Sequence, residues 1–427
     1  MTDPGGGKPS RQISGLAAAL LAFNGVVGAG IFALPGVVAR EFGAFGPWLF
    51  PLFGLLMLVV IVPLAAVAAR FDVNGGAQAY VSRAFGPFAG FQAGWLYTIA
   101  KVTALAANST VFAAYLAGLI PALDTVAGRG LVVTLLLLSL GVANWMGQKG
   151  AIRLLEWSSF LKAAPVLILA VVGLALFWRE LPGPGPLPPL STLEASALVI
   201  FYAFVGFENA MVTAGETRDA RRNVPRALVR TVMATAVFYF LIQLAFTAVA
   251  PDAREDAPLI AFGAAIAGTA GALVMTFAAL ASLVGNLHGN MMSTPRLLQA
   301  MAEGRQLPDW FGRLDATRGT PVYGIWSFTL VALALALTGG FVALAVLGTA
   351  ARLILYAWVM LTLPRLRALA GEHALPPLPL AIATGLGLSV CLWAIAQNEA
   401  KAWVLLGGAA VVGGLLYAVA RRATVGR

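Results

Sequence analysis

The chain has 427 residues, of which 60% are hydrophobic and 11% charged, and its formal charge is +10. A soluble domain carries roughly 25% charged residues, and the apolar residues here fall in runs comparable to the roughly 20 needed to cross a bilayer. That excludes a large soluble enzyme. The basic balance follows from membrane topology, as set out below, so no nucleic-acid partner is required.

The first residues, MTDPGGGKPSRQ, are polar and rich in Gly and Pro, and 1–13 reads as a flexible cytoplasmic tail. The apolar run that follows is too long for a cleaved signal peptide and is taken as the first span. Twelve spans are expected: 14–38, 47–69, 88–119, 131–147, 154–178, 193–215, 228–250, 264–298, 322–338, 341–362, 377–396 and 402–420. The fold class is therefore an all-α polytopic membrane protein, ending in a cytoplasmic tail at 421–427. With both termini in the cytoplasm, most Lys and Arg fall on the cytoplasmic side, including the cluster ETRDARRNVPRALVR and the loop carrying Arg305, Arg313 and Arg318. That is the positive-inside bias. The proline-rich loop RELPGPGPLPPL reads as a stiff outward connection. The single cysteine, Cys391, excludes an internal disulfide, zinc-ligand spacing is absent, and no metal or cofactor is expected.

The first span contains NGVVGAGIFALPG, Asn24 to Gly36. Gly25, Gly28 and Gly30 weaken a helix, and Pro35 interrupts its hydrogen-bond ladder. Backbone left open at membrane depth must be buried in protein or line a cavity. Beyond such a break, the half-helix N-terminus offers N–H groups and a positive dipole end to a carboxylate. The carbonyls before it can accept from an ammonium. A break of this kind suits a zwitterion. The competing reading is close helix packing at Gly25 and Gly30. A second interruption, FYAFVGFENAMVTAGE, places Gly206 and Glu208 in the sixth span. Paired breaks in corresponding positions of two halves point to an inverted-repeat transporter with a midplane site.

GVVGAGIFALPG resembles the first-helix signature of the amino acid–polyamine–organocation (APC) transporters. FYAFVGFENAMVTAGETRDARRNVPRAL resembles their sixth helix and following basic loop, and RLLQAMAEGRQLPDWF the end of their eighth. The resemblance covers nearly the whole chain and extends to bacterial amino acid permeases and the arginine/agmatine antiporter. It implies a five-plus-five inverted repeat, the leucine-transporter-like fold, with discontinuous helices 1 and 6. The repeats would be 14–178 and 193–362, with two additional helices over 376–420. It also implies alternating-access transport of an amino acid or related amine across the bacterial inner membrane, by a monomer or homodimer. Expected substrate contacts are Val27, Gly28, Ala29, Gly30 and Ile31 in the first break, Tyr202, Ala203 and Val205 in the second, and Lys101.

Four charges lie deep in spans: Lys101, Lys162, Glu208 and Arg352. Each costs about 2.5–3.5 kcal/mol at a helix centre and so faces the bundle interior or water. Arg352 reads as half of a structural ion pair. Related permeases carry a lysine at the place of Lys162, with its ammonium standing where a sodium ion sits in sodium-driven relatives. This implies sodium-independent transport, with proton coupling as the leading option. Glu208 matches the family's acidic gate, whether by hydrogen bonding, accepting a proton or countering a cationic substrate, and Tyr97 aligns with an aromatic beside it. Lys101 stands where the antiporter has an uncharged residue. It either pairs with Glu208 across the site, the favoured reading, or selects an anionic or polar substrate. In SLVGNLHGNMMSTPR, Ser282, Asn286, His288 and Asn290 are unusually polar for hydrocarbon. The antiporter's aromatic gate is missing near Asn290, and His288 reads first as a bond to a neighbouring helix and second as a proton relay. The sequon at Asn108 lies within a span and carries no glycosylation meaning.

Exchange or export use the same parts as uptake. Among other classes, a channel lacks a filter motif here. An intramembrane enzyme lacks HExxH and GxSxG, and ATP drive lacks a P-loop. A membrane sensor lacks an attached effector domain.

Overall fold

The computed structural model describes residues 13–147, 151–249 and 257–425, with side chains throughout except over 151–163 and 423–425. Among the described residues there is no strand, only an isolated parallel bridge between Ile13 and Thr217. Ser14 caps α1 (Gly15–Val26), its hydroxyl accepting the Ala17 N–H at 3.1 Å. The chain leaves helical geometry at Val27 and Gly28 and re-enters it as α2 (Ala29–Phe42), with Pro35 inside. There follow α3 (Gly46–Ala68), a short α4 (Gly76–Phe85), and α5 (Pro87–Leu119). Next come α6 (Val126–Trp145), capped by Thr125, and α7 (Ala151–Leu176).

The second interruption separates α8 (Leu190–Phe201) from the four-residue α9 (Asn209–Val212). Then come α10 (Ala220–Val249) and α11 (Pro258–Glu303), which is kinked at Ala267 and Gly268, the latter at φ +59°. The chain ends with α12 (Val322–Thr338), α13 (Phe341–Leu369), α14 (Leu378–Ala396) and α15 (Ala400–Val425). Among the described residues, eight helical runs are long and apolar enough to cross a membrane, and four shorter apolar helices accompany them.

Among the described residues the expected spans fall on helix, with 14–38 divided between α1 and α2 at the first break. The span 193–215 is nevertheless not one element: it is α8, a 3-10 turn at 202–204, extended Val205, and then α9. α4 and the segment before the α11 kink were not anticipated. Both are too short to register as spans, and α4 is amphipathic, burying Tyr80 and Val81 while Arg83 stays outside.

The packing follows membrane rules. The rim of the bundle is apolar, with Leu55, Leu135, Ile168, Val411 and Leu415 all exposed. Lipid is as apolar as these side chains, so helix association depends on close van der Waals fit and small residues. Gly54 of α3 sits against Ala236 of α10 and Phe204, where an added Cβ would press to 2.7 Å from the Ala236 methyl. Around this contact Phe53 and Phe201 meet edge to face at 4.9 Å, and Phe50 packs on Tyr239 at 5.2 Å. α10 thus lies along α3, while α5 is enclosed by α11 and α13. α15 stays at the periphery, tied by the Trp95 indole N–H donating to the Ala409 carbonyl at 2.7 Å.

Candidate functional site: two broken helices around a central cavity

At the first break, Val27 takes φ −78°, ψ 90° and Gly28 φ −128°, ψ −135°. The Ala29 N–H, first of α2, is taken by the Asn108 side-chain oxygen at 2.9 Å, and the Asn108 amide nitrogen donates to Ala104 O at 2.6 Å. The next N–H groups, of Gly30 and Ile31, belong to the first turn of α2, which has no intrahelical acceptors for them. Further along, Pro35 removes a donor from the ladder, and side chains serve the carbonyls around it. Tyr115 Oη donates to Phe32 O at 2.8 Å, and Gln243 Nε2 to Pro35 O at 3.2 Å. Open backbone at this depth is thus met by polar groups from α5 and α10.

The second break turns on Gly206, whose φ of +119° lies in the left-handed region open to glycine. Its N–H donates to Glu208 Oε2 at 2.8 Å. The same oxygen accepts from Tyr356 Oη at 2.7 Å, and Oε1 accepts from Arg352 Nε at 2.9 Å. Glu208 is 2% exposed and Arg352 3%, so this is a buried ion pair between the broken helix and α13. Arg352 also donates to Gly348 O at 3.2 Å.

Beside the pair, Asn209 Oδ1 accepts from Lys101 Nζ at 2.7 Å and from Tyr97 Oη at 3.1 Å. The expected Lys101–Glu208 bond is therefore replaced. Arg352 takes the carboxylate because its fork reaches one oxygen while Tyr356 and Gly206 hold the other, and Lys101 is left with a neutral partner.

The two breaks touch. A Cβ on Gly25 would collide with the Gly206 carbonyl and the Asn209 amide, and one on Gly206 would collide with the Gly25 carbonyl. Gly25 is thus a packing glycine, and so is Gly30, where a Cβ would stand 2.9 Å from Tyr239 Oη. Break and packing are two aspects of one crossing.

A cavity of about 250 Å³ lies at this crossing. Of the expected site residues, Gly28, Tyr202, Val205, Lys101, Glu208, Tyr97 and Asn290 line it. Val27, Ala29, Gly30, Ile31 and Ala203 are buried behind its wall, and His288, whose Nε2 has no hydrogen-bond partner, also lies off it. Lys162 belongs to α7, but its side chain lies outside the described residues.

Polar wall residues that sequence reasoning gave no site role include Asn108, Asn209, Asn286 and Tyr356, together with Arg352, which was read only as structural. A periodic signal could have found several of them. Tyr97, Lys101, Ala104 and Asn108 follow helical spacing on α5, as do Arg352, Leu355, Tyr356 and Val359 on α13. A polar stripe on an otherwise apolar helix marks the face turned to a cavity.

A profile of the family described as amino acid permease matches residues 13–398. The chain belongs to that family. It is thus a multi-pass APC permease of the membrane. Among similar permeases is the branched-chain amino acid permease BcaP of Lactococcus lactis, 25% identical over 420 residues, covering 90% of each chain. The gamma-aminobutyric acid permease of Bacillus subtilis is 25% identical over 334 residues, covering 72% of this chain and 68% of its own. The D-serine/D-alanine/glycine transporter of Escherichia coli K12 is 25% identical, with the same coverage.

Proposed function

We propose that this permease is a secondary active transporter that moves an amino acid across the inner membrane by alternating access. The observation that carries this is the contact of two unwound backbone segments at the edge of a central cavity. The α-carboxylate would meet the first-turn N–H groups of α2, where the dipole is positive. The ammonium would face the carbonyls that end α8 around Tyr202 to Val205. The relatives named above, transporters of amino acids or an amino-acid-like acid, support a ligand with both groups.

A twelve-span, five-plus-five inverted arrangement is supported by the order of elements. One half runs broken helix, α3, short α4, long α5, α6, α7. The other runs broken helix, α10, a short segment before the Gly268 kink, the long remainder of α11, α12, α13. With the termini in the cytoplasm, the cavity faces inward, since its wall continues to Gln78 of α4, Thr213 beyond α9 and Leu297 near the end of α11. On the other side, Tyr202 meets Phe341 edge to face at 5.5 Å and Phe32 meets Tyr115 at 5.9 Å, closing the outward path.

Transport is sodium-independent and proton-coupled in this reading, with Lys162 as the coupling cation. Uptake into proteoliposomes tests the proposal. It should be saturable, show counterflow, persist when choline replaces sodium, and respond to an imposed pH gradient. Strict sodium dependence would overturn the coupling scheme, and non-saturable flux would overturn the transporter reading in favour of a channel.

A further inference from the structure

We infer that the substrate carries a net negative charge, as an amino acid with a second carboxylate on its side chain does. This rests on the transport reading above and concerns the same cavity.

Among the described residues three charged side chains line the cavity: Lys101 from α5, Glu208 from the second break and Arg352 from α13. α1, α4 and α11 contribute no charged side chain to the wall. Glu208 is already committed. One carboxylate oxygen accepts from Arg352, and the other from Tyr356 and the Gly206 N–H. Glu208 and Arg352 therefore neutralise each other, and Lys101 is the surplus cation. Its ammonium donates to one neutral acceptor, the Asn209 oxygen at 2.7 Å, and stands 5.1 Å from the centre of the Tyr97 ring. It is 4% exposed.

An ammonium carries three donors, and among the described residues Asn209 is the one hydrogen-bond acceptor that the Lys101 ammonium meets. A buried charge without a counter-ion is costly. The N-terminus of α2 adds positive potential at the same cavity. Asn108, which holds that N-terminus, lies two helical turns from Lys101 on the same face of α5.

The ligand that completes this arrangement is identified by charge. A neutral amino acid brings no net charge and leaves Lys101 unmatched. A side chain ending in a cation doubles the surplus. A side chain ending in a carboxylate brings one negative charge, and its oxygens can accept from the Lys101 ammonium while the α-carboxylate stays at α2.

The test is binding to the full-length protein in lipid nanodiscs, comparing L-glutamate and L-aspartate with L-glutamine, L-asparagine, L-leucine and L-arginine. Glutamate against glutamine isolates charge at constant shape. The acidic member of one of the two pairs should bind at least tenfold tighter than its amide. K101M should weaken the acidic ligand about 10- to 100-fold, the range of a hydrogen-bonded charge, and leave the amide within about threefold. K101R should retain the preference, which separates charge from folding. An amide binding as tightly as its acid, or K101M weakening both alike, would overturn the inference and leave the transport reading standing. Failure of every amino acid to bind would overturn the transport reading itself, and this inference with it.

Discussion

Consider removing Arg352 from its partner. The guanidinium and the Glu208 carboxylate meet at 2.9 Å, and both are nearly free of solvent. With charge centres about 4 Å apart and an effective dielectric of about 20, their attraction is about 4 kcal/mol. Breaking a buried pair from one side typically costs about 3–5 kcal/mol, because the other charge is left alone. R352M should therefore destabilise the protein by about that amount. E208Q should do similarly, leaving Arg352 unpaired, although its amide oxygen can still accept from Tyr356 or Gly206. The double variant, E208Q with R352M, buries no unpaired charge from this pair and should recover much of the loss, giving a coupling of at least about 2 kcal/mol. The assay is tryptophan-fluorescence unfolding of the four proteins in one detergent, with rates compared where unfolding is irreversible. Additive single effects would refute the reasoning, since they would mean that the two side chains stabilise independently.

Further outcomes follow from the same contacts. G206A should abolish uptake while leaving membrane insertion intact, because residue 206 holds φ +119° and its Cβ would meet the Gly25 carbonyl; wild-type uptake by G206A would contradict the crossing. N108A should lower stability by about 1–3 kcal/mol and reduce uptake, since it leaves the Ala29 N–H without its acceptor; melting and transport assays on one preparation check both.

Hydrogen bonds from Arg70, with the charges of Arg70 and Arg367, hold the Glu372 carboxyl below the usual carboxylate range, joining the end of α3 to the end of α13. A depressed carboxylate contributes stability above its unfolded value and loses it as pH falls through the lower folded value. The melting difference between wild type and E372Q should thus be present at pH 7 and shrink below about pH 4; a difference unchanged at acid pH would exclude this link.

Much of the architecture was legible because membrane helices announce themselves by composition. Long apolar runs gave the helical elements, and Gly28 and Gly206 marked where the backbone opens, since glycine at that depth needs a reason, while Pro35 sits inside α2. α4 escaped because a ten-residue amphipathic helix carries neither length nor hydropathy. The Glu208–Arg352 pair escaped because its members stand 144 residues apart, and pattern along the chain does not say which of two cations reaches one carboxylate. Lys101 was recognised as a departure, but its partner depended on Asn209, whose orientation is set by the turn after Gly206. Asn108 was read as an idle sequon, though its helical spacing from Tyr97 and Lys101 carried the signal that α5 turns this face to the cavity.

The central claim is that two interrupted helices together hold the amino acid. A cryo-EM structure of the full chain with substrate bound tests it most directly. The α-carboxylate should lie at the first break, against Gly28 and the N-terminus of α2, with the ammonium at the carbonyls of residues 202–205. Density for the substrate elsewhere in the bundle, with residues 26–31 and 204–208 wound into continuous helix, would contradict it.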